Sequence, residues 1–130
     1  MAGLYANATL SFTGLTCTQI KGFSCYRRCD PVYSAADVSN RITFQSSKNA
    51  LDVLTVRTLD QRILKLKQGD SGTLSLVAKS ADGGSDLTFA GTAMVVEVEG
   101  EVNFAEVESL CSATFSIISS DGTSSGMSVT

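Results

Sequence analysis

Four cysteines and a run of carboxylates are the residues of this chain whose types invite chemistry. Cys17, Cys25, Cys29 and Cys111 would permit three disulfide pairings in an oxidising compartment. Three residues separate Cys25 from Cys29, a spacing that occurs in zinc sites, but paired Cys-x-x-Cys knuckles are missing and the chain has no His to complete a ligand set. Reduced thiols acting as small, mostly buried apolar side chains are the expectation. The lack of His also excludes His-dependent triads and imidazole acid–base catalysis. Glu97, Glu99 and Glu101 occupy alternate positions. Paired carboxylates hydrolyse glycosides in many enzymes, but here Ser and Thr border them and no Trp offers a sugar platform, so a solvated acidic face is expected. Asp82, Asp86 and Asp121 are oxygen ligands of the kind calcium takes, outside any EF-hand or nonapeptide loop. Gly69-x-x-Gly72 and Gly83-Gly84 lack the Lys-Ser/Thr and the following helix of a phosphate loop, and read as turns. Neither enzymatic activity, nor a cofactor, nor a metal is expected.

The elements that must carry these residues are strands. The chain has 130 residues, 43% of them hydrophobic and 18% charged, enough for one domain over 1-130 with a packed core. Period-two alternation marks Leu10 and Phe12, Ile42 and Phe44, Leu64 and Leu66, and Leu74, Leu76 and Ala78. Further strands are expected over Cys17 to Phe23, Val53 to Thr58, Leu87 to Glu99 and Glu108 to Ser119. Val96, Val98, Gly100, Val102 and Phe104 fall on one face and the three glutamates on the other, with a turn or bulge between Glu99 and Glu106. The segment 24–40 shows no strand periodicity and is expected as a long loop, with a short helix over 34–40 at most. The tail, 119–130, with five Ser and two Gly, reads as a flexible arm. The fold class is therefore all-β: an antiparallel β-sandwich or barrel with one long loop and at most one short helix.

Charge is distributed unevenly. The net charge of −3 gives no global attraction to nucleic acid or to an anionic membrane. Residues 1–80 hold all ten bases and five acids, net +5, whereas residues 81–130 hold eight acids and no base, net −8. A subunit with one basic and one acidic part suits head-to-tail association with copies of itself. Within the long loop, Arg27 and Arg28 flanked by Tyr26 and Tyr33 are residue types favoured in protein contacts. No apolar run approaches the roughly 18 to 20 residues that span a bilayer. The start of the chain lacks a basic segment followed by an apolar one, so folding in a cytosol is expected.

The run Ala50-Leu51-Asp52-Val53-Leu54-Thr55-Val56-Arg57-Thr58-Leu59-Asp60, followed by Gly69-Asp70-Ser71-Gly72-Thr73-Leu74-Ser75-Leu76, resembles the central strands of bacteriophage tail tube (major tail) proteins. Phe89-Ala90-Gly91-Thr92-Ala93-Met94-Val95-Val96 and Cys111-Ser112-Ala113-Thr114-Phe115-Ser116-Ile117 are similar to that family's closing hairpin. The resemblance implies a virion structural protein made in the host cytoplasm. Six subunits would form a ring, rings would stack into a tube, and DNA would pass through as a non-specific passenger. The partners implied are the protein itself and other virion tail proteins, with no membrane. Glu97, Glu99 and Glu101 would line the lumen or a ring-to-ring contact. Cys25, Tyr26, Arg27, Arg28 and Tyr33 would lie in a loop that bridges subunits. A phage head decoration protein or other virion accessory protein, and a disulfide-stapled extracellular β-sandwich module, are the alternatives.

Overall fold

The structure is a computed structural model and describes residues 5–35, 42–104, 108–119 and 126–130. Its strands are β1 (Tyr5–Phe12), β2 (Leu15–Cys17), β3 (Ile20–Ala35), β4 (Ile42–Thr58), β5 (Ser71–Ser80), β6 (Leu87–Gly100), β7 (Cys111–Ile117) and β8 (Ser128–Val129). One 3₁₀ turn, η1 (Gln61–Lys65), separates β4 from β5. All strand pairs are antiparallel and form one sheet in the order β2-β1-β5-β6-β7-β4-β3, with β8 paired to β6. The fold is all-β and barrel-like.

A single sheet can bury one face only by curling on itself. Alternate residues supply that face: Leu10 and Phe12 on β1, Leu74 and Leu76 on β5, Ala113 and Phe115 on β7, Leu54 and Val56 on β4, all nearly free of solvent. Curling brings distant strands together. The ring of Phe12 lies 5.3 Å from that of Phe115, and Phe23 on β3 meets Phe89 on β6 edge-on at 5.2 Å. Burial of each such ring contributes about 1.5–3 kcal/mol. The 3₁₀ turn closes one end of the curl with Ile63, which is fully buried.

Several elements differ from the sequence expectation, each for a physical reason. The expected loop at 24–40 is, as far as residue 35, the outer half of β3, and residues 36–41 lie outside the described part. Ser34 and Ala35 of the expected helix belong to that strand. Period-two patterning arises only where one face is buried, and residues 26–33 face solvent on nearly all sides. Pro31 is tolerated because β3 is the sheet's edge, where one row of N–H groups has no strand to meet. The expected strand at Leu64 and Leu66 is replaced by η1, started by Asp60, whose carboxylate accepts from the Arg62 N–H. The strand expected from Cys17 to Phe23 is broken at Gln19, which adopts a φ of 55°.

The apolar face expected along Val96, Val98, Gly100, Val102 and Phe104 does not form. Val95 pairs with Phe115 and Glu97 with Thr114, so Val96 is an extra residue, a β-bulge. The bulge reverses the alternation: Ala93 and Val95 are buried before it, Val96 is exposed and Val98 packs inward after it, while Val102 and Phe104 are exposed past the end of β6 at Gly100. The strand ends at Gly100, within the interval expected for a turn or bulge, and the bulge at Val96 is a further break upstream of it.

The tail is tied down where it is described. Thr88 and Thr130 exchange backbone hydrogen bonds at 2.8 and 2.9 Å, and Met127 is buried. A Cβ at Gly91 would lie 2.5 Å from the Gly126 carbonyl oxygen, and one at Gly126 would collide with the Ile118 carbonyl, so this close crossing of backbones requires glycine. Residues 120–125 of the expected arm lie outside the described part.

Candidate assembly surfaces

Two surfaces collect the residues that the sequence singled out, and they leave the sheet at opposite ends. The pairing of β4 with β7 runs from Thr58↔Cys111 to Val53↔Ser116 and then stops. Beyond it β3 and β4 continue alone, from Arg27↔Asp52 out to Ala35↔Ile42. Ten residues of β4, from Ile42 to Leu51, span about 30 Å, so a two-stranded ribbon of roughly that length projects past the body of the sheet. At the other end β6 and β7 meet at Gly100↔Cys111, level with Thr58, and the loop that joins them starts there.

The ribbon holds Arg27, Arg28 and Tyr33, and Cys25 and Tyr26 lie just before it, opposite Leu54 and Val53 where β4 still pairs with β7. Tyr26 is 53% and Tyr33 55% exposed, with Val32 and Leu51 also open to solvent. Arg27 anchors the root of the ribbon and is not free to reach outward: its Nε donates to Asp52 Oδ1 at 2.8 Å and its Nη2 to the Met127 carbonyl at 3.2 Å. The Asp52 carboxylate beside it raises the Arg27 pKa further. Arg28, which bonds the Tyr26 hydroxyl and pairs with Asp30 at 3.3 Å, stays exposed. Asn49, at a φ of 55°, bends the partner strand, and its Nδ2 donates to Asp30 Oδ2 at 3.0 Å. This bond, ahead of Arg28, holds the Asp30 carboxyl below its usual range.

Glu97 and Glu99 lie on the solvent face of β6, opposite Thr114 and Ser112. The next strand in that row places Arg57 opposite Ser112, where its guanidinium covers Gly22. Glu101 is exposed at the start of the loop and accepts from Asn103 Nδ2 at 3.0 Å. Sequence patterning assigned Val96, Val102 and Phe104 to the core and so missed their exposure. The paired valines at 95 and 96, where alternation fails, signal the bulge that exposes Val96, whereas Val102 and Phe104 are exposed because β6 ends at Gly100.

Free thiols occupy all four cysteine positions, Cys17 and Cys111 buried and Cys25 and Cys29 exposed, so only half of the expected burial holds. Burial, aided by the nearby Asp60 carboxylate, pushes the Cys17 thiol up to about 11. The one buried charged side chain among the described residues is Asp60, which accepts from the side chain of Arg62 at 2.6 Å, from the Thr18 N–H at 2.9 Å and from the Arg62 N–H. Those bonds, the Arg62 side chain first, hold its carboxyl well below the usual range. Thr58 completes the node, donating to the Thr18 carbonyl at 2.7 Å and accepting from the Asp60 N–H at 3.0 Å. Every member bonds another, so the node ties β2, β4 and η1 together and presents nothing to a ligand. The turn between β5 and β6 uses its acids likewise: Asp82 accepts from Ser80 and Gly84, and Asp86 from Ser80 and Lys79. Asp121 lies outside the described residues.

Two open clefts lie on the body of the sheet. One of about 280 Å³ is lined by Phe12, Leu15, Leu66, Lys65 and Asp70 among others, and one of about 170 Å³ runs between β1 and β3. Among the described residues no three of His, Cys, Asp and Glu come together as a metal site would need, and no helix is long and apolar enough to cross a membrane. No family model matches the chain, and no curated protein matches it.

Proposed function

We propose that this chain is a self-assembling virion structural subunit of the tail tube type, whose copies form stacked, hexameric rings around a conduit for DNA. The observation that carries the proposal is the ribbon. An isolated two-stranded hairpin is marginal in water, and here about 30 Å of ribbon stands without a third strand among the described residues, with residues 46–51 and nearly all of 27–33 exposed. Cover from neighbouring copies supplies what the single chain lacks. The edges of β2 and β3 are also open, and pairing between subunits would satisfy their backbone groups.

The carboxylates support the same proposal. Glu97, Glu99 and Glu101 are exposed in a row at one end of the molecule. A DNA conduit works best with a wall that repels phosphate, because a basic wall would release counterions on contact and hold the polymer. DNA is then a passenger and other virion tail proteins are the further partners. The alternative of a stapled extracellular module has no disulfide to rest on.

Sedimentation velocity across a wide range of protein concentration tests the proposal. Self-association into closed particles of about six subunits, growing into longer ones, is expected. A strictly monomeric chain at the highest concentration, or a trimer that never grows, as a head decoration protein would give, contradicts it.

A further inference from the structure

The larger of the two clefts, of about 280 Å³, opens where the β1–β2 hairpin faces the segment that leads from η1 into β5. Its floor is apolar: Phe12 is buried, and Leu15 and Leu66 are half-buried beside it. Its rim carries one base and one acid, Lys65 and Asp70, together with the hydroxyls of Thr13 and Ser71. The smaller cleft has Lys21 as its one charged group. Lys65 and Asp70 line the same space, yet they are not within ion-pair distance of each other, and neither pairs with any other described residue.

Both walls are fixed by backbone. Thr13 and Gly14 turn the hairpin in two residues with φ of 45° and 86°, and the Thr13 N–H donates to the Thr73 carbonyl at 3.1 Å, which pins the tip to β5. On the other wall Lys65 is the last residue of η1, and the Leu66 N–H closes that turn on the Ile63 carbonyl at 3.2 Å. Gly69, at a φ of 91°, donates its N–H to the Val95 carbonyl at 2.7 Å, while the Asp70 carbonyl accepts from the Val95 N–H at 2.8 Å. The backbones that carry the two charges are therefore set before any ligand arrives, which lowers the ordering cost of binding.

We infer that this cleft binds a small zwitterion with an apolar side chain, the chemistry of a free α-amino acid such as leucine. The carboxylate of the ligand meets Lys65, its ammonium group meets Asp70, and its side chain covers Leu15, Leu66 and Phe12. Charge-assisted hydrogen bonds are about twice as strong as neutral ones, so a ligand that satisfies both groups is selected over one that carries a single charge. Drug-sized molecules take pockets of about 300–1,000 Å³, and a cleft of about 280 Å³ suits a ligand smaller than these. The binding goes beyond the assembly proposed above and does not depend on it.

Saturation-transfer NMR on the full chain tests this with three probes: leucine, isocaproate and isopentylamine. The last two keep the branched apolar chain of leucine and lack its ammonium group or its carboxylate. Leucine should bind with a roughly millimolar dissociation constant, as expected for a small ligand in an open cleft. Each single-charge probe should bind at least about tenfold more weakly. Asp70→Asn should weaken leucine about tenfold and leave isocaproate unchanged, whereas Lys65→Gln should weaken leucine to a similar extent and leave isopentylamine unchanged. Both positions are exposed, and retention of the unaffected probe shows that each variant keeps the cleft. Absence of saturation transfer to leucine, leucine bound no more tightly than the single-charge probes, or leucine binding unmoved by either substitution would overturn the inference, as would loss of all three probes alike in one variant. Because the signal is read on the ligand, the test holds for a single chain and for an assembled one, and its failure leaves the self-assembly proposal standing.

Discussion

Asp60 ties three parts of the structure together, because it caps η1, accepts from the N–H of Thr18 at the end of β2 and pairs with Arg62. Replacing it by Ala removes a cap and leaves the Thr18 N–H without its acceptor, and a loss of about 2–3 kcal/mol in denaturant titration is expected. The sign of the pH effect follows from the direction of its shift. The folded carboxyl ionises well below the ordinary aspartate value of about 3.9, so its contribution is complete above that value and fades as the pH falls below it toward the folded one. Asp60→Asn should therefore flatten the acid limb of the stability curve below about pH 4. The thiols give a second residue-scale expectation. Cys25 and Cys29 are exposed and should react with a thiol reagent in the native protein, whereas Cys17 and Cys111 should react only after unfolding. Four fast thiols, or none, would contradict the placement of these side chains. Little of this was legible in the sequence: the strand expected over Val53 to Thr58 stops short of Asp60, and Thr18, whose N–H it accepts from, lies 42 residues away.

Strands with one buried face could be read directly from the chain. Leu10 with Phe12 and Leu74 with Leu76 alternate with polar residues, and β1 and β5 form where that alternation predicts. Illegible elements were those where no face, or a shifted face, meets the core. Residues 26–33 of β3 are nearly all exposed, so nothing in their composition demanded period two, and the tyrosines and arginines that form the candidate surface looked like a loop. In β6 the bulge at Val96 turns that valine outward, and the strand ends at Gly100, so Phe104, which alternation placed on an apolar face, lies past the sheet and is the most exposed large apolar side chain described. Of the candidate site, the carboxylates were therefore legible and their apolar neighbours were not. The bulge makes a sharp prediction. Deleting Val96 leaves Val95 opposite Phe115 and Glu97 opposite Thr114, so the domain should still fold. Deleting Thr114 turns Phe115 off the core face and should cost on the order of 3–5 kcal/mol, enough to unfold a domain of ordinary stability. Thermal melts of the two deletions distinguish these outcomes, and equal damage from both would contradict the register.

At the scale of the whole molecule, the uneven charge of the chain does not fold into two halves. The sheet order sets the acidic β6 beside β5 and β7, with β4 and its arginine one strand further, so bases of the first eighty residues and acids of the last fifty share surfaces. What folding does separate is the ribbon from the Phe104 loop, one at each end of the β4–β7–β6 strip. Polarity of this kind directs copies into an open stack, and sideways closure into rings would turn the stack into a tube. Electron microscopy of the concentrated protein in negative stain tests this most directly. Rings with a central hole, or tubes built from them, are the predicted result. A field of compact particles without a hole at any concentration would contradict it.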